Sequence, residues 1–91
     1  MICLDQKTSY EIARDLAARV RRRRKERKLT QAQLAKRAGM SLGSYKRFEQ
    51  TGQVAFASLL NIAIALGCEG DFDELFSRRH YQSIQEVIDG Q

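Results

Sequence analysis

The chain contains no proline and no tryptophan, one histidine and two cysteines. Without proline, nothing removes a backbone donor from the interior of a helix. The β-branched residues are too scattered to alternate, so no strand candidate emerges. Cys3 and Cys68 lie far apart without a CxxC spacing, and with His80 as the sole imidazole they cannot build a four-ligand zinc site. Two reduced thiols are expected. No apolar run approaches the roughly 18 residues of a membrane span. The first charged residue, Asp5, precedes any apolar run, so neither a signal peptide nor a membrane partner is expected, and the location should be cytoplasmic. There is no paired nucleophile and base, no metal cluster and no glycine-rich phosphate loop after a strand, so neither an enzyme nor a cofactor is expected.

What is present is positive charge and helix-forming residues. The 91 residues make one domain, too small for a deep catalytic cleft between layers of structure. The net charge is +5, and half of the sixteen Lys and Arg lie between Arg19 and Lys28, which points to a polyanion, with nucleic acid first. Frequent Ala, Leu, Arg and Gln make the fold class all-α.

The stretch from Leu29 to Gln50 holds two short helical patterns joined at Gly39. Thr30 and Gln33 have the spacing of a capping box, and Leu29 and Leu34 that of a hydrophobic staple. Gly39 falls where a helix must stop in the left-handed conformation, and Ser41 follows as the cap of the next. Such a pair must cross steeply, with Leu34, Ala35, Ala38, Met40, Tyr45 and Phe48 facing inward. The same helical step turns Gly43, Lys46, Arg47 and Gln50 outward. This is a helix-turn-helix pattern.

Around it, residues 1–8 read as an arm, 9–76 as the domain and 77–91 as a tail. Thr8 and Glu11 form another capping-box pattern, opening a helix from about Ser9 to Arg27 whose core stripe is Ile12, Leu16 and Val20. The basic run Arg21 to Lys25 is either a solvated helix face or a set of phosphate contacts. A fourth helix is expected over Phe56–Leu66, ended by Gly67. Phe56, Leu59, Leu60, Ala63 and Leu66 suffice to close a core, which leaves Ile62 and Ile64 as surplus apolar surface needing cover. Asp71 to Glu74 signals a short fifth helix. Ser83 to Glu86 repeats the capping pattern with a stripe of Ile84, Val87 and Ile88, too short to stand alone. It must pack on helix four, on a second subunit or on another protein.

The residues Leu29-Thr30-Gln31, Leu34-Ala35, Gly39-Met40-Ser41, Tyr45 and Phe48-Glu49, with Leu59-Leu60, Ala63 and Ala65-Leu66-Gly67, resemble the Cro and phage-repressor family, also called XRE, over roughly Leu16 to Phe76. The resemblance implies a five-helix domain that binds double-stranded DNA. It implies base readout at Leu42, Gly43, Ser44 and Arg47 and phosphate contact at Gln31. Arg47 is the best base reader, since its fork can bridge O6 and N7 of guanine; Lys46 reads as a phosphate clamp. The resemblance also implies that Arg24 and Glu49 pair as a structural ion pair between the first helix and the recognition helix. Between Glu49 and Gly52 the chain has one residue more than the common pattern, so the loop's phosphate contacts do not carry over by position.

These readings converge on a sequence-specific transcriptional regulator, a repressor acting by operator occupancy as a homodimer built from helices four and five with the tail. The phrase Tyr45 to Gly52 also resembles small antitoxins that repress their own operon and partner a HipA-like kinase toxin. The alternative is a protein-interaction module that uses the fold without DNA; Lys46 and Arg47 argue against it.

Overall fold

Thr8 starts the first helix as its spacing predicts. Its hydroxyl accepts from the Glu11 N–H at 3.1 Å, and its own N–H donates to the Glu11 carboxylate at 3.1 Å, a bond that holds Glu11 below the ordinary carboxylate range. The computed structural model describes residues 7–79, which form α1 (Ser9–Glu26), α2 (Gln31–Arg37), α3 (Leu42–Thr51), α4 (Phe56–Leu66) and a 3-10 helix (Glu69–Glu74); no strand occurs among the described residues. The all-α fold class is therefore the observed one.

Each turn closes by local chemistry. After α1, Lys28 takes the left-handed conformation at φ 58, while Leu29 N–H reaches Arg24 C=O and Lys28 N–H reaches Lys25 C=O. This is the pairing of a Schellman motif, with lysine where glycine is usual. The second capping box forms, Thr30 with Gln33. Gly39 then ends α2 at φ 70, and the Ser41 hydroxyl accepts from Ser44 N–H to open α3. Gly52 ends α3 at φ 80 and meets α1: a Cβ at this position would lie 2.7 Å from both the carbonyl carbon and the Cβ of Ala13. Only glycine fits there, for conformation and for space.

α1 packs chiefly on α3, and α2 packs on both α3 and α4. The core consists of Ala17 and Val20 from α1, Leu29, Leu34, Ala35 and Ala38 around α2, Tyr45 and Phe48 from α3, and Ile62 and Leu66 from α4. The inward set of the helix-turn-helix is as expected, with Tyr45 and Phe48 in edge contact at 6.0 Å between ring centres.

Three expectations need correction. Ile62, expected to be surplus, is fully buried, because α4 presents that residue with Leu66 to the helix-turn-helix. Phe56, expected in the core, is 62 % exposed; it sits in the first turn of α4, where its ring meets Phe72 edge-on at 6.1 Å. Ile12, expected on the core stripe, is 55 % exposed, because α1 leans on α3 and leaves an open groove toward α4. The short fifth helix forms as expected, as a 3-10 helix that begins two residues before Asp71, with Leu75 and Phe76 exposed beyond it. Ile64 is exposed as expected. The tail stripe of Ile84, Val87 and Ile88, Cys3 and His80 lie outside the described residues.

One carboxylate joins three helices. Arg24 of α1 donates from Nε to Glu49 Oε2 at 2.8 Å and from Nη2 to Oε1 at 3.3 Å, and its Nη1 donates to Leu29 C=O at 2.8 Å. Gln31 of α2 donates to Glu49 Oε1 at 3.0 Å, and the Tyr45 hydroxyl donates to Glu49 Oε2. Arg21 lies at 4.0 Å. The Glu49 side chain is 4 % exposed. Burial alone would push its carboxyl up, but the bonds from Arg24, Tyr45 and Gln31 outweigh this and hold it below the ordinary value. Burial, then the bond to Glu49, pushes the Tyr45 hydroxyl well up.

Two outcomes follow for denaturation. Arg24→Ala and Glu49→Ala should each cost roughly 3 kcal/mol or more, because each strands a buried partner, and the double variant should cost less than the sum. Additive losses in urea unfolding would show that the two side chains do not act together. Because the Glu49 carboxyl is lowered in the folded state, its contribution is present above the ordinary value of 4.5 and fades as pH falls below it. Glu49→Gln should flatten that acid limb, leaving the smaller part owed to Glu11 and Asp15, whose carboxyls are also lowered.

Candidate nucleic-acid interface

The composition of α3 decides what it offers. Its ten residues contain one acid, Glu49, and that acid is turned into the protein. The face left to solvent carries Leu42, Gly43, Ser44, Lys46, Arg47 and Gln50, all exposed, so the candidate readers and Gln50 lie on one accessible surface. Its net charge is positive.

Local bonds already orient two of these groups. The Ser41 hydroxyl accepts from Ser44 N–H and donates to Ser44 Oγ at 2.9 Å, which leaves the Ser44 hydroxyl proton to donate outward. Arg47 donates from Nη2 to Gln53 Oε1 at 2.6 Å. Gln53 is placed in turn by Thr51, whose hydroxyl donates to Arg47 C=O at 2.7 Å and accepts from Gln53 N–H at 3.1 Å. The Arg47 guanidinium is thus drawn toward the α3–α4 loop, beside a cleft of about 300 Å³ that Ser44, Gln53, Val54 and Ser58 also line. Gln53 belongs to the site although the sequence did not single it out; an isolated Gln after a glycine carries no periodic signal.

Gln31 is half-buried, at the first position of α2, and one of its amide protons serves Glu49. It therefore couples any contact made there to the ion pair beneath. Arg24 is buried and committed to Glu49, so it belongs to the scaffold of the site rather than its surface. The rest of the basic run, Arg21, Arg22, Arg23 and Lys25, is exposed, with Arg23 paired to Glu26 at 2.7 Å.

Gly43 differs from the glycines of the turns. Its φ is not left-handed, and a Cβ there would meet nothing within 4 Å. Neither conformation nor packing requires glycine at this point. Gly43 lies in the first turn of α3, so Gly43→Ala should raise stability, by less than the roughly 0.5 to 1 kcal/mol gained in the middle of a helix. If close approach of a duplex is what the glycine serves, the same variant should bind DNA more weakly while melting higher; tighter binding would show that the backbone is not approached there.

A protein-family model described as a helix-turn-helix domain matches residues 15–75, a span that takes in most of α1, all of α2, α3 and α4, and the 3-10 helix. Comparisons with curated proteins and with solved structures returned no match. The match covers about two thirds of the 91 residues, including the Gly39 turn and the whole of α3, and on that ground the chain belongs to the helix-turn-helix domain family.

Proposed function

We propose that this protein is a sequence-specific DNA-binding transcriptional regulator that represses by occupying its operator as a homodimer. The observation that carries the reading is the sorting of charge on α3: the one acid is buried at Arg24, while Lys46, Arg47 and Gln50 remain outside with Ser44 and Gly43. On this reading α3 lies in the major groove. Arg47 reads a guanine, Ser44 and Leu42 contact neighbouring base edges, and Lys46, with Gln31 on α2, contacts phosphate. The exposed basic face of α1 adds sequence-independent attraction.

The finer assignment is to the XRE group, through the spaced residues from Leu29 to Gly67, and within it to an autoregulating antitoxin that partners a HipA-like kinase. The support for the antitoxin reading is the phrase Tyr45 to Gly52. A two-fold dimer would place the two recognition helices about 34 Å apart, in successive major grooves. Ile64, 59 % exposed on α4, is the described apolar residue best placed to serve such a contact, since α4 needs it for no internal packing.

Gel-shift titration against the DNA upstream of the protein's own gene, with and without the neighbouring gene product, tests the assignment. Arg47→Ala should lose roughly 1 to 3 kcal/mol at one base pair and so lose discrimination, whereas Lys46→Ala should weaken specific and random duplexes alike. If Arg47→Ala also weakened specific and random duplexes alike, Arg47 would be a backbone clamp. Ile64→Glu should sediment as a folded monomer with weak half-site binding; an unmodified protein that is monomeric at micromolar concentration would remove the homodimer.

A further inference from the structure

The groove between α1, α4 and the 3-10 helix has a volume of about 450 Å³ and is mostly apolar, with Ile12, Leu16, Phe56, Leu59, Phe72 and Leu75 among its lining residues. Three of these, Ile12, Phe56 and Leu75, are more than half exposed. Large apolar side chains gathered along one depression mark a surface that is normally covered. The basic members of its lining are Arg19 and Arg23, against one acid, Asp71. It shares no residue with α3.

We infer that the groove is the docking site of the chain's own C-terminal segment, residues 81–88, bound within the same molecule. The segment carries Tyr81, Ile84, Val87 and Ile88 at the spacing that gathers apolar groups on one side of a helix. Reach permits it. Ile84 follows nine residues after Leu75, itself part of the groove lining, and nine residues span up to roughly 30 Å. The eleven residues of α4 extend roughly 16 Å.

Charge fits this occupant. Residues 80–91 contain Glu86 and Asp89 and neither lysine nor arginine, so the segment brings negative charge to a groove flanked by Arg19 and by Arg23, the latter also paired to Glu26. Tethering favours the segment over a second copy, because a short connection within one chain holds it at an effective concentration on the order of millimolar. The segment would cover Ile12 and Phe56, the two residues that the periodicity of the sequence places in a core.

Cys68 reports on this directly, since it lines the groove as a half-buried free thiol. In the full chain carrying Cys3→Ser, the Cys68 reaction with a disulfide reagent should be about 10-fold slower than in the same chain with Ile84→Asp and Ile88→Asp, and the slow rate should not vary with protein concentration. Gln85→Asp, off the apolar stripe, should leave it slow. Equal rates with and without the two aspartates overturn the proposal. Protection that grows with concentration also overturns it and assigns the groove to a second copy. Should the doubly substituted chain lose its helical circular dichroism, Val87→Cys in the otherwise native tail decides: mild oxidation should join it to Cys68 within one chain, and a covalent dimer or no cross-link counts against the proposal.

Discussion

A carboxylate taken out of water must be matched by donors, and the Glu49 carboxylate meets that demand from three directions at once. Arg24 comes from α1, Gln31 from α2 and Tyr45 from one turn earlier on α3 itself. Each donor is also part of something else: Arg24 caps the turn carbonyl of Leu29, Gln31 opens α2, and the Tyr45 ring fills the core against Phe48. The relative positions of the three helices therefore converge on one group. No buried side-chain polar atom is left without a partner among the described residues. Such a fully satisfied network resists small rearrangements, because losing any donor exposes the desolvation cost of the rest.

This arrangement also explains how a short helix presents a positive face. Turning its acid inward removes the one negative group from the surface of α3 and uses it to hold the helix in place. The structural pair and the exposed cations are consequences of one choice of helix rotation. The apolar groove belongs to other elements, so α1 contributes to two separate surfaces, the Arg24 network against α3 and the open side toward α4.

Much of the fold was legible because its signals are local. Both capping boxes, the Gly39 stop and the Ser41 cap are read from spacings of three residues or fewer. The Arg24–Glu49 pair spans 25 residues and was legible only through family resemblance. The Tyr45 bond to Glu49 is a four-residue helical spacing and could have been read directly. By contrast, α4 is apolar on nearly every side, so its periodicity does not state which side turns inward, and the structure exchanges the expected places of Phe56 and Ile62. Ile12 shares the stripe yet stands exposed, because a stripe predicts which residues share a side of a helix, not how far along that helix a neighbour extends. The Arg47–Gln53 contact crosses a helix end, where no repeating pattern applies.

The close seating of Gly52 on Ala13 bears on how this domain could adapt to different sequences. α3 is fixed along its length by Glu49 and at its end by a backbone contact that leaves no room even for a methyl group. A helix held at two points along its axis resists rolling to meet a poorly matched base pair. On the proposed function, accommodation would fall to the duplex, through groove width and bendability, so base pairs beyond the reach of any α3 side chain would still influence affinity through the energy of deforming them.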